Sequence, residues 1–385
     1  MSIPNKIYFD NAATTPVAPE VIDSMKPYMI SKFGNASSIH SYGKTAKVLI
    51  EDTRDLLAGF IGAKPKEIIF TSGGTESNNM AIKGLAFKKM NSGKRHIISS
   101  SIEHSSVFET LNYLKENLGF EISFIKPDAK GLLNLSDIKE KIREDTILIS
   151  VMHSNNETGV INNLAQISAV ARSHGIPVHS DSVQSIGKTN FNVRELNIDF
   201  ASFSAHKFYG PKGIGALYLN DNIKIDNLIH GGPQERNMRA GTENIPAIAG
   251  LKTALELLIM NCENDIIHYR KLKIHLIDKL KNYFKNRISI NTPDENSLPN
   301  ILNFSFVTGE FSFDPEMLLI MLDLRGIAVS AGSACTSGSL KPSRVLLELG
   351  KDEKTALSSL RISFGRNNTI DEVDTFFNAL KEIAV

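Results

Sequence analysis

The sequence predicts an α/β protein with a large domain built on a mostly parallel sheet and a smaller α+β domain. Between about residues 60 and 220, short β-rich runs alternate with helical stretches, as in strands joined by crossover helices. After Gly250 this alternation gives way to a long amphipathic segment, further β-rich runs and a final helical pattern. We place the large domain at residues 16–258, with residues 1–15 and 259–385 forming the small one.

The predicted elements follow one another closely along the large domain. Its strands are KEIIFTS, RHIISSS, EISFIKP, TILISVMH, IPVHSDS, DFASFSAH and GIGALYLN. Helical patterns between them are ESNNMAIKGLAFKKM, LSDIKEKIRE and LAQISAVARSHG, the last ending at Gly175 as at a C-cap. In the small domain, ENDIIHYRKLKIHLIDKLKNYF has apolar residues near helical spacing, and LPNILNFSF, IAVSAG and SSLRISFG are β-rich.

The composition excludes several classes of protein. Of 385 residues 42% are hydrophobic, which is enough for a full core, and a formal charge of +1 does not favour nucleic acid or an anionic membrane. No apolar run approaches the ~20 residues that cross a bilayer, and the N-terminus lacks the order of a secretory signal. The two cysteines, Cys262 and Cys335, cannot form a disulfide framework. We therefore expect a cytoplasmic protein with no nucleic-acid or membrane partner and no bound metal.

Polar residues follow five of the predicted strands of the large domain. In an open α/β sheet, ligands bind beyond the carboxyl ends of the strands, so these residues are expected to form one site. The groups are Thr71 to Glu76, Glu103 with His104, His153 to Asn156, Asp181 with Gln184, and Ser204 with His206 and Lys207.

Each of these residues has an ordinary structural alternative. The alternatives are a simple helix start at Gly74 and Thr75, a structural histidine at His104, an Asx turn at Asn155, a helix cap at Asp181 and a surface lysine at Lys207. The combination is more specific than any of its members, because one ligand would account for nearly all of them.

That ligand is pyridoxal phosphate. The cofactor needs a lysine for a Schiff base, an acid facing its pyridine nitrogen and a cradle for its phosphate. Lys207 and Asp181 can supply the first two, and the free N–H groups at the Gly74–Thr75 helix start can supply the third. The other candidates are Asn155 and Gln184 at the ring oxygen, His104 on the ring face, and Ser204 and His206 near the phosphate.

A set of motifs extends this interpretation to nearly the whole chain. They are FDNAATTP, FTSGGTESNN, EHSSV, NNETG, DSVQSIGK, SAHKFYGPKGIGALY, RAGTEN, GSACTSGS and LRISFGR. From residue 8 to about 367 the sequence resembles cysteine desulfurases of the NifS/IscS type, which are fold-type-I pyridoxal-phosphate enzymes of the aminotransferase class V group. SAHKFYGPKGIG and GSACTSGS are the most specific of these motifs.

The resemblance implies a role for each matching residue. Lys207 would hold the cofactor, with Asp181 at the pyridinium, and Arg361 would clamp the substrate α-carboxylate beside Asn155. Thr242 would reach the phosphate of a neighbouring subunit, which implies a homodimer. Further implied contacts are Gln184 and Asn155 near the ring oxygen, His104 on the ring, and Thr75, Ser204 and His206 on the phosphate.

The alternation of side chains along a strand independently supports a functional role for Arg361. In SSLRISFG, Leu360 and Ile362 alternate with Arg361, so the arginine lies on the face opposite the apolar residues. Simple exposure to solvent is the alternative. A guanidinium suits a carboxylate because its paired donors match both oxygens.

Cys335 is the expected nucleophile. The resemblance implies that its thiolate attacks the sulfur of L-cysteine, giving a persulfide on Cys335 and L-alanine, with His104 as candidate proton acceptor. The glycines and serines of GSACTSGS would allow Cys335 to reach both the substrate and an acceptor protein such as an iron–sulfur scaffold. A chance loop cysteine is the alternative, and Cys262 is expected to be structural.

Other functions on the same scaffold stay open at this point. A selenocysteine, cystine or cysteine-sulfinate lyase would share the cofactor residues, so substrate assays separate it. A transaminase of the same group would need no nucleophilic cysteine. A non-catalytic sulfur carrier would be expected to lack Lys207 or Asp181, and both are present.

Overall fold

The computed structural model describes residues 6–307, 314–331 and 341–384. Its strands are β1 (Ile7–Tyr8), β2 (Ile68–Thr71), β3 (His96–Ser100), β4 (Glu121–Ile125), β5 (Thr146–Ser150), β6 (Val178–Asp181), β7 (Phe200–Ser204), β8 (Gly215–Leu219), β9 (Ile288–Ile290), β10 (Ile301–Phe306), β11 (Ile327–Ala328) and β12 (Ser359–Ser363). Its helices are α1 (Pro19–Ile30), α2 (Ser41–Ile61), α3 (Gly74–Lys89), α4 (Ser105–Leu118), α5 (Leu135–Lys141), α6 (Leu164–Ser173), α7 (Ile245–Phe284), α8 (Pro315–Leu324), α9 (Arg344–Glu348), α10 (Glu353–Leu357) and α11 (Ile370–Ile383).

A seven-stranded sheet forms the centre of the fold, in the order β2-β8-β7-β6-β5-β3-β4. Neighbouring strands run parallel except at β8, which is antiparallel to both β2 and β7. Strand β2 therefore points the same way as β7, and Gly215 pairs with both Thr71 and Ser204 at one edge. The predicted α/β class is confirmed, and the carboxyl ends of all strands of this sheet except β8 lie at the same edge.

Apolar side chains cover both faces of this sheet. One cluster joins it to α2, α6 and the first half of α7, and another joins the opposite face to α3 and α4. A third cluster lies around the antiparallel sheet β12-β10-β9, with the second half of α7 and helices α8 and α11. Residues Ile7 and Phe9 belong to this third cluster, because β1 pairs with β11.

Helix α7 connects the two halves of the structure. Its 40 residues span about 60 Å and run without interruption across position 258/259, where we predicted the domain boundary. Leu255 and Leu258 pack on the central sheet, whereas Leu272, Leu276 and other residues further along pack on the small sheet. The segment 245–287 is also long and apolar enough to cross a membrane by length and composition, but half of its apolar window is buried inside the protein.

A buried ion pair holds the loop that precedes α7. The guanidinium of Arg54 in α2 donates to both carboxylate oxygens of Glu235, at 2.8 and 3.0 Å, and the backbone N–H of Phe70 donates to the same carboxylate at 2.9 Å. Glu235, Arg236 and Asn237 all have positive φ angles, which non-glycine residues rarely adopt. The ion pair therefore stabilises a strained turn and attaches it to the central sheet.

We predict that Glu235→Gln lowers the free energy of unfolding by about 3–5 kcal/mol, because it leaves the Arg54 charge buried without its carboxylate. Urea unfolding followed by circular dichroism measures this change. Glu51→Gln is the matched control, since Glu51 also pairs with Arg54 but its side chain is 44% exposed. The control should cost less than about 1 kcal/mol, and equal losses in the two variants would contradict the prediction.

Candidate active site at the carboxyl edge of the central sheet

The phosphate cradle proposed from sequence is an uncapped helix start. Gly73 precedes α3 with φ +147° and offers no side-chain cap, so the first N–H groups of the helix are free to bind an anion. A Cβ atom on Gly74 would lie 2.6 Å from Val183 Cγ2 and 3.9 Å from Ser204 Cβ, so only glycine allows this close approach. Thr75 is exposed at the same helix start, whereas Ser204 is buried beside it.

Lys207 lies on a short 3₁₀ turn directly after β7. Its Nζ donates to the carbonyl oxygens of Ala12 and Ala13, at 2.6 and 2.7 Å. Burial lowers the pKa of Lys207 to about 8, with a further lowering by the charge of Arg361, while Asp181 and Asp10 act in the opposite direction. The amine is therefore much closer to neutrality at physiological pH than an exposed lysine, which is what a nucleophilic amine requires.

Asp181, His104 and two further side chains form a hydrogen-bonded chain. Asn78 Nδ2 in α3 donates to Asp181 Oδ2 and to Ser106 Oγ, both at 2.8 Å. Ser106 Oγ lies 2.8 Å from His104 Nδ1, which also accepts from the Ser106 backbone N–H at 3.1 Å. Asp181 also caps the turn after β6 by accepting from the N–H of Val183. The predicted acid and the predicted ring-stacking histidine are thus linked.

His104 and His206 both favour their neutral forms. Loss of hydration lowers the pKa of His104, and the charges of Lys207 and Arg344 contribute, although its ring remains exposed on one side. Burial, aided by the charges of Lys207, Lys212 and Lys188, lowers the pKa of His206 to about 4. His206 Nδ1 lies 3.1 Å from Thr14 Oγ1, so its ring is held by the N-terminal segment.

The side-chain amides of Gln184 and Asn155 both form hydrogen bonds with backbone groups. Gln184 Nε2 donates to the carbonyl oxygen of Ala12 at 2.9 Å, while its Oε1 is buried and has no hydrogen-bond partner within residues 6–307, 314–331 and 341–384. Asn155 is completely buried, and its Oδ1 accepts from the N–H groups of Glu157 and Thr158 in an Asx turn. Its Nδ2 donates to the carbonyl oxygen of Ile102 at 3.1 Å. A direct contact between Asn155 and a ligand stays a prediction.

Arg361 reaches the site from the small sheet. It lies on β12 with its side chain 7% exposed, and its guanidinium donates to Asp10 Oδ1 at 2.6 Å and to the carbonyl oxygen of Asn156 at 3.0 Å. Its Nε is buried and has no hydrogen-bond partner in the described part of the chain. A buried guanidinium N–H without an acceptor is costly, so this edge of Arg361 is suited to an incoming carboxylate.

The remaining predicted residues lie at the rim or outside the described residues. Thr242 is exposed in the loop before α7, and Arg239 of that loop pairs with Glu76 in α3 at 2.9 Å. Cys335 belongs to residues 332–340, which lie outside the described ranges. Cys262 is half-buried in α7, where burial raises the pKa of its thiol.

Both sides of residues 332–340 attach to the site. Ser330 forms a β-bridge with Arg361, and the two residues exchange backbone hydrogen bonds. On the other side, Ser343 donates to the carboxylate of Glu157, and Arg344 donates to the backbone carbonyl oxygen of Glu103, next to His104. Described residues on both sides of 332–340 therefore contact predicted site residues or their neighbours.

Sequence reasoning missed three contributors to this site. Asp10 follows β1 and could have been found by the same strand-end argument, because it is ionisable and ends a short apolar run. Lys188, buried with its Nζ 3.2 Å from the Lys207 carbonyl oxygen, lies beyond the strand end and gave no local signal. Asn78 lies inside a helix, where an asparagine does not by itself indicate a functional site.

The family of the chain follows from its full-length similarity to known proteins. Residues 7–376 match the family described as aminotransferase class V. The chain belongs to the aminotransferase class V family. Over 378 residues it is 46% identical to a cysteine desulfurase IscS of Dictyoglomus turgidum, covering 98% of this chain and 94% of that protein. It is also 45% identical to a cysteine desulfurase IscS of Methanosarcina thermophila, covering 100% of this chain and 93% of that protein.

Solved structures of class V proteins show the same architecture. A NifS-like protein superposes with a TM-score of 0.91 at 38% identity, covering 98% of this chain and 99% of that one. A protein named SspA, in complex with cysteine, superposes with a TM-score of 0.80 at 39% identity, covering 93% of this chain and 98% of that one. These comparisons confirm the predicted family, the fold class and the resemblance to cysteine desulfurases.

The described residues fit pyridoxal phosphate, the cofactor expected for class V enzymes. A lysine with a lowered pKa, a carboxylate at the neighbouring strand end and an uncapped helix start lie at one edge of the sheet. Gln184 Oε1 has no hydrogen-bond partner among the described residues, so it can accept from a ligand there. In residues 6–307, 314–331 and 341–384, no group of three or more metal-ligating side chains is present.

We predict that the rate at which the cofactor-free protein forms its covalent link with pyridoxal phosphate rises with pH through a midpoint near 8. The amine reacts only when neutral, and the pKa of Lys207 is lowered to about 8. Stopped-flow absorbance of the bound cofactor measures the rate. Lys207→Arg, which cannot form the link, is the control. A midpoint near 10.4, the value of an exposed lysine, would disprove the lowered pKa.

Proposed function

We propose that this chain is a cysteine desulfurase, which uses pyridoxal phosphate to remove sulfur from L-cysteine and releases L-alanine. One observation carries the choice of activity within class V. Residues on both sides of the segment that contains Cys335 attach beside Arg361 and beside the backbone of Glu103. The chain from Ser330 to Cys335 spans at most about 18 Å, so the thiol is tethered to the edge of the cofactor site.

Several residues would hold the cofactor. Lys207 would bind its aldehyde carbon, Asp181 would face its pyridine nitrogen, and the N–H groups at the start of α3 would bind its phosphate with Thr75, Ser204 and His206. Gln184, Asn155 and His104 would line its ring. When bound, pyridoxal phosphate supplies an electron sink for the bonds at the substrate Cα.

Protein side chains would bind the substrate and transfer its protons. Arg361 binds the α-carboxylate of L-cysteine through its free Nε and an adjacent NH₂ group, because this edge of the guanidinium has donors available. Burial lowers the pKa of the free Lys207 amine to about 8, so this amine could move a proton at the substrate Cα. The carbonyl oxygens of Ala12 and Ala13 accept from its Nζ and hold it within the site.

The sulfur transfer requires no reagent other than L-cysteine and the Cys335 thiol. The Cys335 thiolate attacks the sulfur of L-cysteine, a new S–S bond forms, and the Cβ–S bond breaks with its electron pair returning to carbon. The carbon is then protonated, so that L-cysteine and the Cys335 thiol become L-alanine and a Cys335 persulfide. The Cys335 thiol has to lose its proton before this attack, because only the thiolate is a competent nucleophile. A relative whose structure contains cysteine supports the choice of substrate.

The persulfide would be passed to an acceptor protein such as an iron–sulfur scaffold, in the cytoplasm. The acceptor has to approach the rim of the site where residues 331 and 341 lie, since the tethered thiol cannot travel far beyond it. The product would serve iron–sulfur cluster or thiocofactor assembly, as the similarity to proteins named IscS supports.

The direct test is to incubate the holoenzyme with L-cysteine, alkylate it and weigh its peptides. We predict one extra sulfur, about 32 mass units, on the peptide that contains Cys335, because only a thiolate can accept the sulfur. Cys262→Ser is the matched control and should keep the extra mass and the release of alanine. Cys335→Ser should lose both. Alanine formation at the wild-type rate in Cys335→Ser, or a pyridoxamine-forming turnover with a 2-oxo acid, would favour a lyase or a transaminase instead.

A second copy of this chain is the proposed partner at an exposed apolar surface between α1 and α2. Ile30, Phe33 and Ile39 are 75%, 66% and 91% exposed, and the rings of Phe33 and Tyr42 lie 5.5 Å apart. Soluble proteins seldom leave so many large apolar side chains exposed together. A homodimer would cover them, and the resemblance places Thr242 at the phosphate of the neighbouring subunit.

We predict that Phe33→Glu combined with Ile39→Glu converts a dimer into a monomer, because two charges would be buried at the contact. Sedimentation equilibrium measures the mass. Met260→Glu combined with Ile267→Glu changes two other exposed apolar residues, which lie on α7, and should leave the mass unchanged. A wild-type protein that sediments as a single chain at micromolar concentration would refute the homodimer.

A further inference from the structure

We propose that Asn78 is a positioning residue, which couples Asp181 to His104 through Ser106. This inference rests on the proposed function, because Asp181 and His104 matter only if the cofactor binds between them. Asn78 is no part of the predicted cofactor set. It lies in the first two turns of α3, is completely buried, and contacts Asp181 and Ser106 together.

The orientation of the Asn78 amide follows from its partners. Both of its N–H groups are used, one on Asp181 Oδ2 and one on Ser106 Oγ, at 2.8 Å each. The opposite orientation would place the amide oxygen against the Asp181 carboxylate, where two acceptors would repel each other. In the orientation observed, Asn78 Oδ1 is buried and has no hydrogen-bond partner among the described residues. The fold therefore accepts an unpaired oxygen in order to direct both donors at Asp181 and Ser106.

The direction of the hydrogen bonds continues from Asn78 to the histidine. Because Ser106 Oγ accepts from Asn78, its own hydrogen is available for His104 Nδ1, 2.8 Å away. The Ser106 backbone N–H donates to the same nitrogen at 3.1 Å. Two donors directed at Nδ1 require that nitrogen to carry no hydrogen, so neutral His104 carries its proton on Nε2. The chain of bonds thereby selects one tautomer and one ring orientation.

These hydrogen bonds constrain both Asp181 and His104. Asp181 receives a charge-assisted hydrogen bond that holds its carboxylate plane, and His104 presents its Nε2 edge away from Ser106. A change at position 78 would release both groups at once, without removing any group that touches the substrate. Its effect should therefore fall on kcat and on the spectrum of the bound cofactor, with KM for L-cysteine nearly unchanged.

Asn78→Ala in the holoenzyme tests the positioning role. We expect kcat to fall about tenfold or more, as for loss of a hydrogen bond to a charged group, with KM within about twofold. The pH midpoint of the visible absorption of the bound cofactor should move by about 0.5 unit or more. Asn79→Ala, the adjacent residue whose amide donates to the Thr75 carbonyl oxygen, is the matched control and should leave the midpoint in place. A wild-type midpoint and kcat in Asn78→Ala would overturn the proposal.

A double-mutant cycle tests the path through Ser106. Because Asn78→Ala already disconnects Ser106 from Asp181, the combination with Ser106→Ala should be less harmful than the product of the two single effects. Strict additivity would contradict the coupling.

The tautomer of His104 tests the same inference without relying on any variant at Asn78. ¹⁵N NMR of histidine-labelled protein, with the His104 signal assigned by its loss in His104→Gln, should show a proton on Nε2. A proton on Nδ1 would overturn the proposal. This measurement needs no cofactor, so it decides the inference even if the wild-type protein fails to bind pyridoxal phosphate, which would refute the proposed function alone.

Discussion

The segment from Phe9 to Thr15 determines how the two parts of the site meet. Phe9 is completely buried in the core around the small sheet, in edge contact with Phe364 and Phe376. The next residue, Asp10, pairs with Arg361, and two residues later the carbonyl oxygens of Ala12 and Ala13 accept from Lys207. Five consecutive residues therefore connect a packed core to both Arg361 and Lys207. The backbone of this segment sets the distance between these two side chains.

Burial away from water lowers the pKa values of the lysines at this site and brings their amines closer to the neutral form. Among the described residues, no carboxylate directly contacts the amine of Lys207 or Lys188, and burial lowers their pKa values to about 8 and about 7. Backbone carbonyl oxygens stabilise these groups less than carboxylates would, so the amines stay close to neutrality. A paired lysine would keep its charge at physiological pH and would be a poor nucleophile. The same burial keeps His206 neutral beside the lysines.

The sequence predicted the central sheet well, because its strands are short apolar runs separated by clear turn and helix signals. Polar residues at the strand ends could be collected into one site because parallel strands share an edge. The predicted division into domains at 258/259 falls inside α7, which carries one continuous helical pattern through two different cores. Asn78 could not be identified at all, since nothing in ESNNMAIKG distinguishes it from Asn79.

The sequence by itself determined the α/β class, the family and the identities of the groups that the chemistry requires, because these depend on local patterns and on motifs. Only the tertiary structure decided which partners those groups have. Asp10 and Arg361 are 351 residues apart in the chain, Ala12 and Lys207 are 195 apart, and Asn78 and Asp181 are 103 apart. Contacts between such distant positions follow from how the sheet and the two cores pack, and that packing leaves no signature in the neighbouring residues.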